Sequence, residues 1–141
     1  MYASRRNPIQ AYADIGVETG VSAANPHKLI VMLFDGALLA ISNATRHMQL
    51  KEIPEKGKAI SQAIDIINCG LKASLDKNSG GDLAEKLDAL YDYMSARLLY
   101  ANLHNDKPAL DETTRLLREI KSAWEEIDND PAVRPQQQSA A

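Results

Sequence analysis

Three histidines, one cysteine and a scatter of carboxylates are the residues of this chain with chemistry to offer. A dinuclear metal centre in a helical protein needs Glu-x-x-His pairs on facing helices. The residues three before His27, His47 and His104 are Ala24, Ala44 and Ala101, so the pattern fails each time. No two histidines stand at helical metal spacing, and Cys69 alone cannot build a zinc site. Nucleophilic catalysis fares no better. His27 falls in the first turn of a predicted helix, and His47 and His104 fall near helix ends, all ordinary solvated positions. Gly80-Gly81 ahead of a helix start could receive an anion. No Gly-x-x-x-x-Gly-Lys-Ser/Thr pattern accompanies it, however, and Asp82 repels phosphate. Asp82, Glu85, Asp88 and Asp92 read as a solvated helix face, interrupted by Lys86 and Arg97. The residues predict no enzyme, no metal and no cofactor.

Composition narrows the class further. The 141 residues are 45% hydrophobic and 25% charged, ordinary for one soluble domain. About two-thirds of the unfolded surface can be buried at this size, enough for a core without staples. A net charge of -3 leaves no basic field for nucleic acid. Arg5-Arg6 is a pair and not a cluster. A single cysteine excludes an intramolecular disulfide. Flanked by Ile66, Ile67 and Ala73, Cys69 reads as a small buried apolar side chain. No secretory signal is visible at the start, and the longest unbroken apolar run, 29–34, is too short to span a bilayer. The expectation is a cytoplasmic protein without membrane insertion.

The elements that would carry any site are helices. Asn25-Pro26 supplies a cap and a proline at its tolerated first position, opening a helix over 26–50. Its apolar residues at 30, 33, 34, 37 and 41 mark one face. Pro54 opens a second helix, 54–76, with the stripe Ile60, Ile64, Ile67, Leu71 and Leu75. Beside it runs a row of small residues: Ala59, Ala63, Gly70 and Ala73. Gly70 costs about 1 kcal/mol relative to Ala in a helix interior, which points to a close packing contact. Asn78-Ser79-Gly80-Gly81 reads as a stop. Asp82 then caps a third helix, 82–104, with Leu83, Leu87, Leu90, Met94, Leu98 and Ala101 on one face. Asn105 to Pro108 resets the chain for a fourth helix, 107–128, carrying Leu110, Thr113, Leu117, Ile120, Trp124 and Ile127. Strand patterns and repeats are missing. Four long helices with short connections predict an all-α, antiparallel up-down-up-down four-helix bundle. Residues 1–128 form the domain, and the Pro- and Gln-rich tail, 129–141, has nothing to bury and should be disordered. A short N-terminal segment with Ile9 and Tyr12 on one side is too short to be helical alone and needs a dock.

Surface apolarity is the informative excess. Leu29, Met32 and Leu39 make the helix over 26–50 apolar on a second side. With the small-residue row around Ile66 and Gly70, and with Tyr91, Tyr93 and Met94, they could line grooves for an amphipathic partner. The same residues also fit a wide core, and periodicity alone does not choose. A structural or adaptor bundle that homodimerises through the second apolar face is the alternative reading.

These residues also carry a resemblance. Met1-Tyr2, Ile9-Gln10-Ala11-Tyr12 and the run from Pro26-His27-Lys28-Leu29 through Leu33-Phe34-Asp35-Gly36 are similar to the FliS family of flagellar secretion chaperones. So are Lys58-Ala59-Ile60 through Gly70-Leu71, Ser74-Leu75-Asp76, Gly80-Gly81-Asp82-Leu83 and Leu90-Tyr91-Asp92-Tyr93-Met94. Arg97-Leu98, Ala101-Asn102 and Ala123-Trp124 complete a match over about residues 1–127. The resemblance implies an antiparallel helical bundle with an extra short N-terminal helix, and neither catalysis nor cofactor. It implies that a monomer binds one flagellin molecule by its C-terminal segment, which is disordered when free and becomes partly helical on apolar grooves. Premature polymerisation is thereby prevented, and the client is delivered to the flagellar type III export gate. In such proteins the segment with Ile9 and Tyr12 packs on the bundle and rearranges when client binds. The partner-contact candidates are Ile9, Tyr12, Leu29, Met32, Leu39, Ile66, Gly70, Tyr91, Tyr93 and Met94.

Overall fold

A computed structural model describes residues 25–129. The expected N-terminal helix, Ile9, Tyr12 and the residues from 130 onward lie outside the described part. Within it are four helices and no strand: α1 (Pro26–Gln49), α2 (Ile53–Asp65), α3 (Lys77–His104) and α4 (Lys107–Asn129). α2 runs directly into a wider π-helical segment, Ile66–Lys72.

Local chemistry sets the boundaries. Asn25 Oδ1 accepts from the Lys28 amide at 3.2 Å, so the side chain occupies a free donor of the first turn. α1 ends where Lys51 takes a left-handed φ of 60°, and Pro54 starts the return. Asn105, with φ 51° and ψ 45°, closes α3 in the left-handed cap that asparagine tolerates.

Cross-links between helices fix the topology. Lys56 on α2 reaches Asn102 and Asn105 at the end of α3. Further along, Asn68 meets Ser95 and Lys72 meets Asp92. On the other side, Trp124 near the end of α4 donates to the His27 carbonyl at the start of α1, and Lys121 pairs with Asp35. Neighbours therefore run antiparallel in a ring, α1 to α2 to α3 to α4 and back to α1. Leu33, Ile41, Ile60, Ile67, Met94, Leu98, Leu110 and Leu117 fill the centre. The all-α bundle predicted from periodicity is the fold observed.

Several local expectations need correction. The second helix does not stay α-helical to residue 76. Its last part widens, which turns both members of two adjacent pairs, Ile66-Ile67 and Gly70-Leu71, into the core. Cys69, predicted buried, takes the outward position between those pairs and is exposed. Gly70 has the close contact expected of it, since a Cβ there would stand 3.0 Å from Leu33 Cδ2. Asp76, not Asp82, caps α3, accepting from the Asn78 and Ser79 amides at 3.1 Å each. The stretch read as a stop is thus a first turn followed by a kink at Gly81. Leu83, predicted in the core, is 64% exposed because it lies just past that kink at the end of the bundle. His27 is not solvated either: it is buried and stacked on Trp124, with ring centroids 4.7 Å apart and planes 9° from parallel. Finally, α1 as a whole is long and apolar enough to cross a membrane, although no single apolar run in it is. Its inner face packs on α2, the π segment and α4.

Candidate partner-binding site

Ile9 and Tyr12 lie outside the described residues, and the other eight candidate positions divide by burial. Leu29, Ile66, Gly70, Tyr91 and Met94 are buried. Leu29, Ile66, Gly70 and Met94 are taken up in the chain's own packing, because α1 points Leu29 inward, the π segment turns Ile66 in, and Met94 sits at the centre of α3's inner face, whereas Tyr91 borders a cavity at one end of the bundle. Leu39 is 62% exposed, Tyr93 is exposed and Met32 is half-buried. Met32 and Leu39 lie seven residues apart, two turns along one line on the outside of α1.

α3 carries a second apolar exterior that periodicity arguments passed over. Leu99 and Leu103 are 58% and 79% exposed and stand four apart, one above the other on the helix surface. Tyr100 is exposed beside them, and Leu50 and Ile53 are exposed in and beside the α1–α2 link, at the end of the bundle where Lys56 ties α2 to the end of α3. The signal was available: Leu99 and Leu103 fall off the Met94–Leu98–Ala101 stripe and have no core role to play.

Polar bonds hold the tyrosines of this side in place. Tyr93 donates its hydroxyl to Glu112 Oε2 at 2.7 Å, and Arg97 Nε donates to Glu112 Oε1 at 2.8 Å. Arg97 then lies over the Tyr100 ring, 4.9 Å from its centroid, and the Tyr100 and His104 rings are 4.3 Å apart. The Tyr93 hydroxyl first, and Arg97 next, hold the Glu112 carboxyl below its usual range. The same carboxylate raises Tyr93 and Arg97. Two exposed aromatic rings are thus fixed in orientation before any partner arrives, which lowers the entropy cost of using them.

One more feature lies at the opposite end of the bundle. Ile30 and Phe34 of α1, Leu71 and Leu75 around the end of the π segment, Leu87 and Tyr91 of α3, and Ile120 and Trp124 of α4 surround a cavity of about 340 Å³. Burial pushes the Tyr91 hydroxyl up to about 12, so it stays protonated. Among the described residues, no group of three or more His, Cys, Asp or Glu side chains could hold a metal ion.

Comparison with known proteins identifies the relatives of this chain. A family model described as flagellar protein FliS matches residues 8–131. The flagellar secretion chaperone FliS of Salmonella typhimurium is 50% identical over 119 residues, covering 84% of this chain and 88% of that protein. The flagellar secretion chaperone FliSB of Pseudomonas aeruginosa is 46% identical over 129 residues, 92% of this chain and all of that one. A more distant relative, the flagellar secretion chaperone FliS of Bacillus subtilis, is 31% identical over 121 residues and covers 86% of each chain.

Proposed function

This chain belongs to the FliS family, and from that premise we propose that its client is the C-terminal segment of flagellin, held in the cytoplasm one to one until export. It is a chaperone and not an enzyme. The single observation that carries the reading is the placement of exposed apolar side chains on opposite sides of a filled bundle. α1 and α3 are diagonal in the ring of helices. Leu39 with Met32 on one, and Leu99 with Leu103 on the other, therefore face away from each other. A compact partner covers one such face. A segment without structure of its own can pass around the bundle and reach both, forming helix where an apolar face receives it. Masking that segment would keep flagellin from polymerising and leave the complex ready for the export gate.

Coupled folding of this kind gives favourable enthalpy, unfavourable entropy and a negative heat-capacity change. Calorimetric titration of the full chain with a flagellin C-terminal peptide should show all three. Absence of heat and of a complex, with the bundle folded, rejects the reading.

A further inference from the structure

A surface carboxylate of α4 sets the shape of α3's exterior. Tyr93, Arg97, Tyr100 and His104 follow one another at spacings of four, three and four, so they share one face of α3. Glu112, in the second turn of α4, reaches across to this line. Its Oε2 accepts from the Tyr93 hydroxyl and its Oε1 from Arg97 Nε, so both oxygens are engaged by α3. Bonds of this kind, with an ionised acceptor, are the stronger ones. The held guanidinium lies over the Tyr100 ring, and that ring meets His104 with its plane tilted by 42°. One anion thus orients two tyrosines that stand two turns apart.

Packing does not hold these rings. Tyr93 and Tyr100 are each 44% exposed, so their orientation depends on the polar ties. A surface ion pair adds little to stability, and the bundle core is filled without this one. Binding is where the arrangement has a consequence. Leu99 and Leu103 occupy the neighbouring strip of the same exterior, so a helix laid along α3 against the leucines can also meet the rings. Tyrosine offers such a partner a broad amphipathic surface with few torsions to freeze. We propose that Glu112 is a positioning residue for client binding: without touching the client, it holds the Tyr93 and Tyr100 rings where the client helix meets them. This inference rests on the flagellin reading above and adds to it a residue of α4 that lies off the apolar faces.

The test measures affinity of the full chain for a flagellin C-terminal peptide. Glu112→Ala should weaken binding by about two- to ten-fold, the entropy of immobilising a side chain that is no longer pre-set. Denaturant unfolding should show the bundle still folded. A second chain carries Tyr93→Ala and Tyr100→Ala together, which removes the rings themselves and weakens binding. Adding Glu112→Ala to that chain should change affinity by less than about two-fold, because a group acting through the rings has nothing left to act on. Equal or tighter binding by Glu112→Ala in the otherwise unchanged chain overturns the positioning role. An undiminished loss in the chain without the rings overturns it too, since Glu112 or the freed Arg97 would then act on the client directly. In both cases the parent chain still binds and the flagellin reading stands. A parent chain that binds no peptide removes that reading, and this inference with it.

Discussion

Lys56 shows how much of this fold rests on single side chains. It is almost fully buried, and its ammonium donates to the Asn102 carbonyl at 2.9 Å and to the Asn105 side chain. Those acceptors belong to the end of α3, where backbone carbonyls lack helical partners and the helix dipole is negative. Lys56→Met keeps the stem and loses the bonds. It should cost about 1.5–3 kcal/mol, the range for hydrogen bonds to a charged group, read by chemical denaturation. Core leucines should cost more: Leu33→Ala and Leu117→Ala, both at fully buried sites, about 2–5 kcal/mol each. Leu39→Ser and Leu103→Ser should change stability by no more than about 0.5 kcal/mol yet weaken peptide binding. Equal stability losses in the two sets, with affinity intact, would make the exposed leucines irrelevant to the client. At Glu112 the sign of a pH effect is fixed. Its folded-state value is depressed by Tyr93 and Arg97, so its stabilisation is present above the unfolded value of about 4.3 and fades as pH falls through the lower folded one. Wild type and Glu112→Gln should therefore differ in melting temperature at pH 7 and converge on acidification below that range.

At the scale of elements, proline marked helix starts well, whereas the start of α3, with Asp76 in place of the expected Asp82 as its cap, and the interior of the second helix were not legible. Asn25-Pro26 and Pro54 act through their own backbone chemistry, and both starts fall within a residue of expectation. The π segment left no such mark. Ile66-Ile67 and Gly70-Leu71 satisfy a straight α stripe through Ile67 and Leu71 just as well, and only packing against α1 and α3 brings all four inside. Asn68 to Ser95 and Lys72 to Asp92 then hold the wider turn from the α3 side. For the same reason a candidate list drawn from apolar excess mixed core with surface: Leu29 and Leu39 are both apolar residues of α1 off its main stripe, yet the first is buried and the second exposed, and their separation requires knowing which neighbour covers which face. Cys69 tests the π geometry directly. In the folded chain it should react with a thiol reagent at a rate near that of the unfolded chain, whereas slow, opening-limited reaction would place it inside.

At the scale of the whole molecule, the proposed wrapping arrangement sets the length that such a client must have. Helix axes in packed bundles lie about 8–10 Å apart, so passing from the outer face of α1 around to the outer face of α3 takes a path of roughly 40 Å. Extended chain covers about 3.3 Å per residue and helix 1.5 Å, which asks for on the order of 12 residues extended or 27 helical. A homodimer joined through one flat face would bury either the Leu39 side or the Leu99–Leu103 side and leave the other exposed. Its mass in sedimentation would rise through the micromolar range, and the free face would still bind peptide. A monomer with a wrapping client behaves differently: each half of the client is held at high effective concentration by the other. Cutting a flagellin C-terminal peptide at its midpoint should then lower the affinity of each half by about 10²–10⁴ relative to the intact peptide. Leu39→Ser should impair one half alone and Leu103→Ser the other. If a single half retains the full affinity, or if both substitutions impair the same half, the client occupies one face and the wrapping arrangement is wrong.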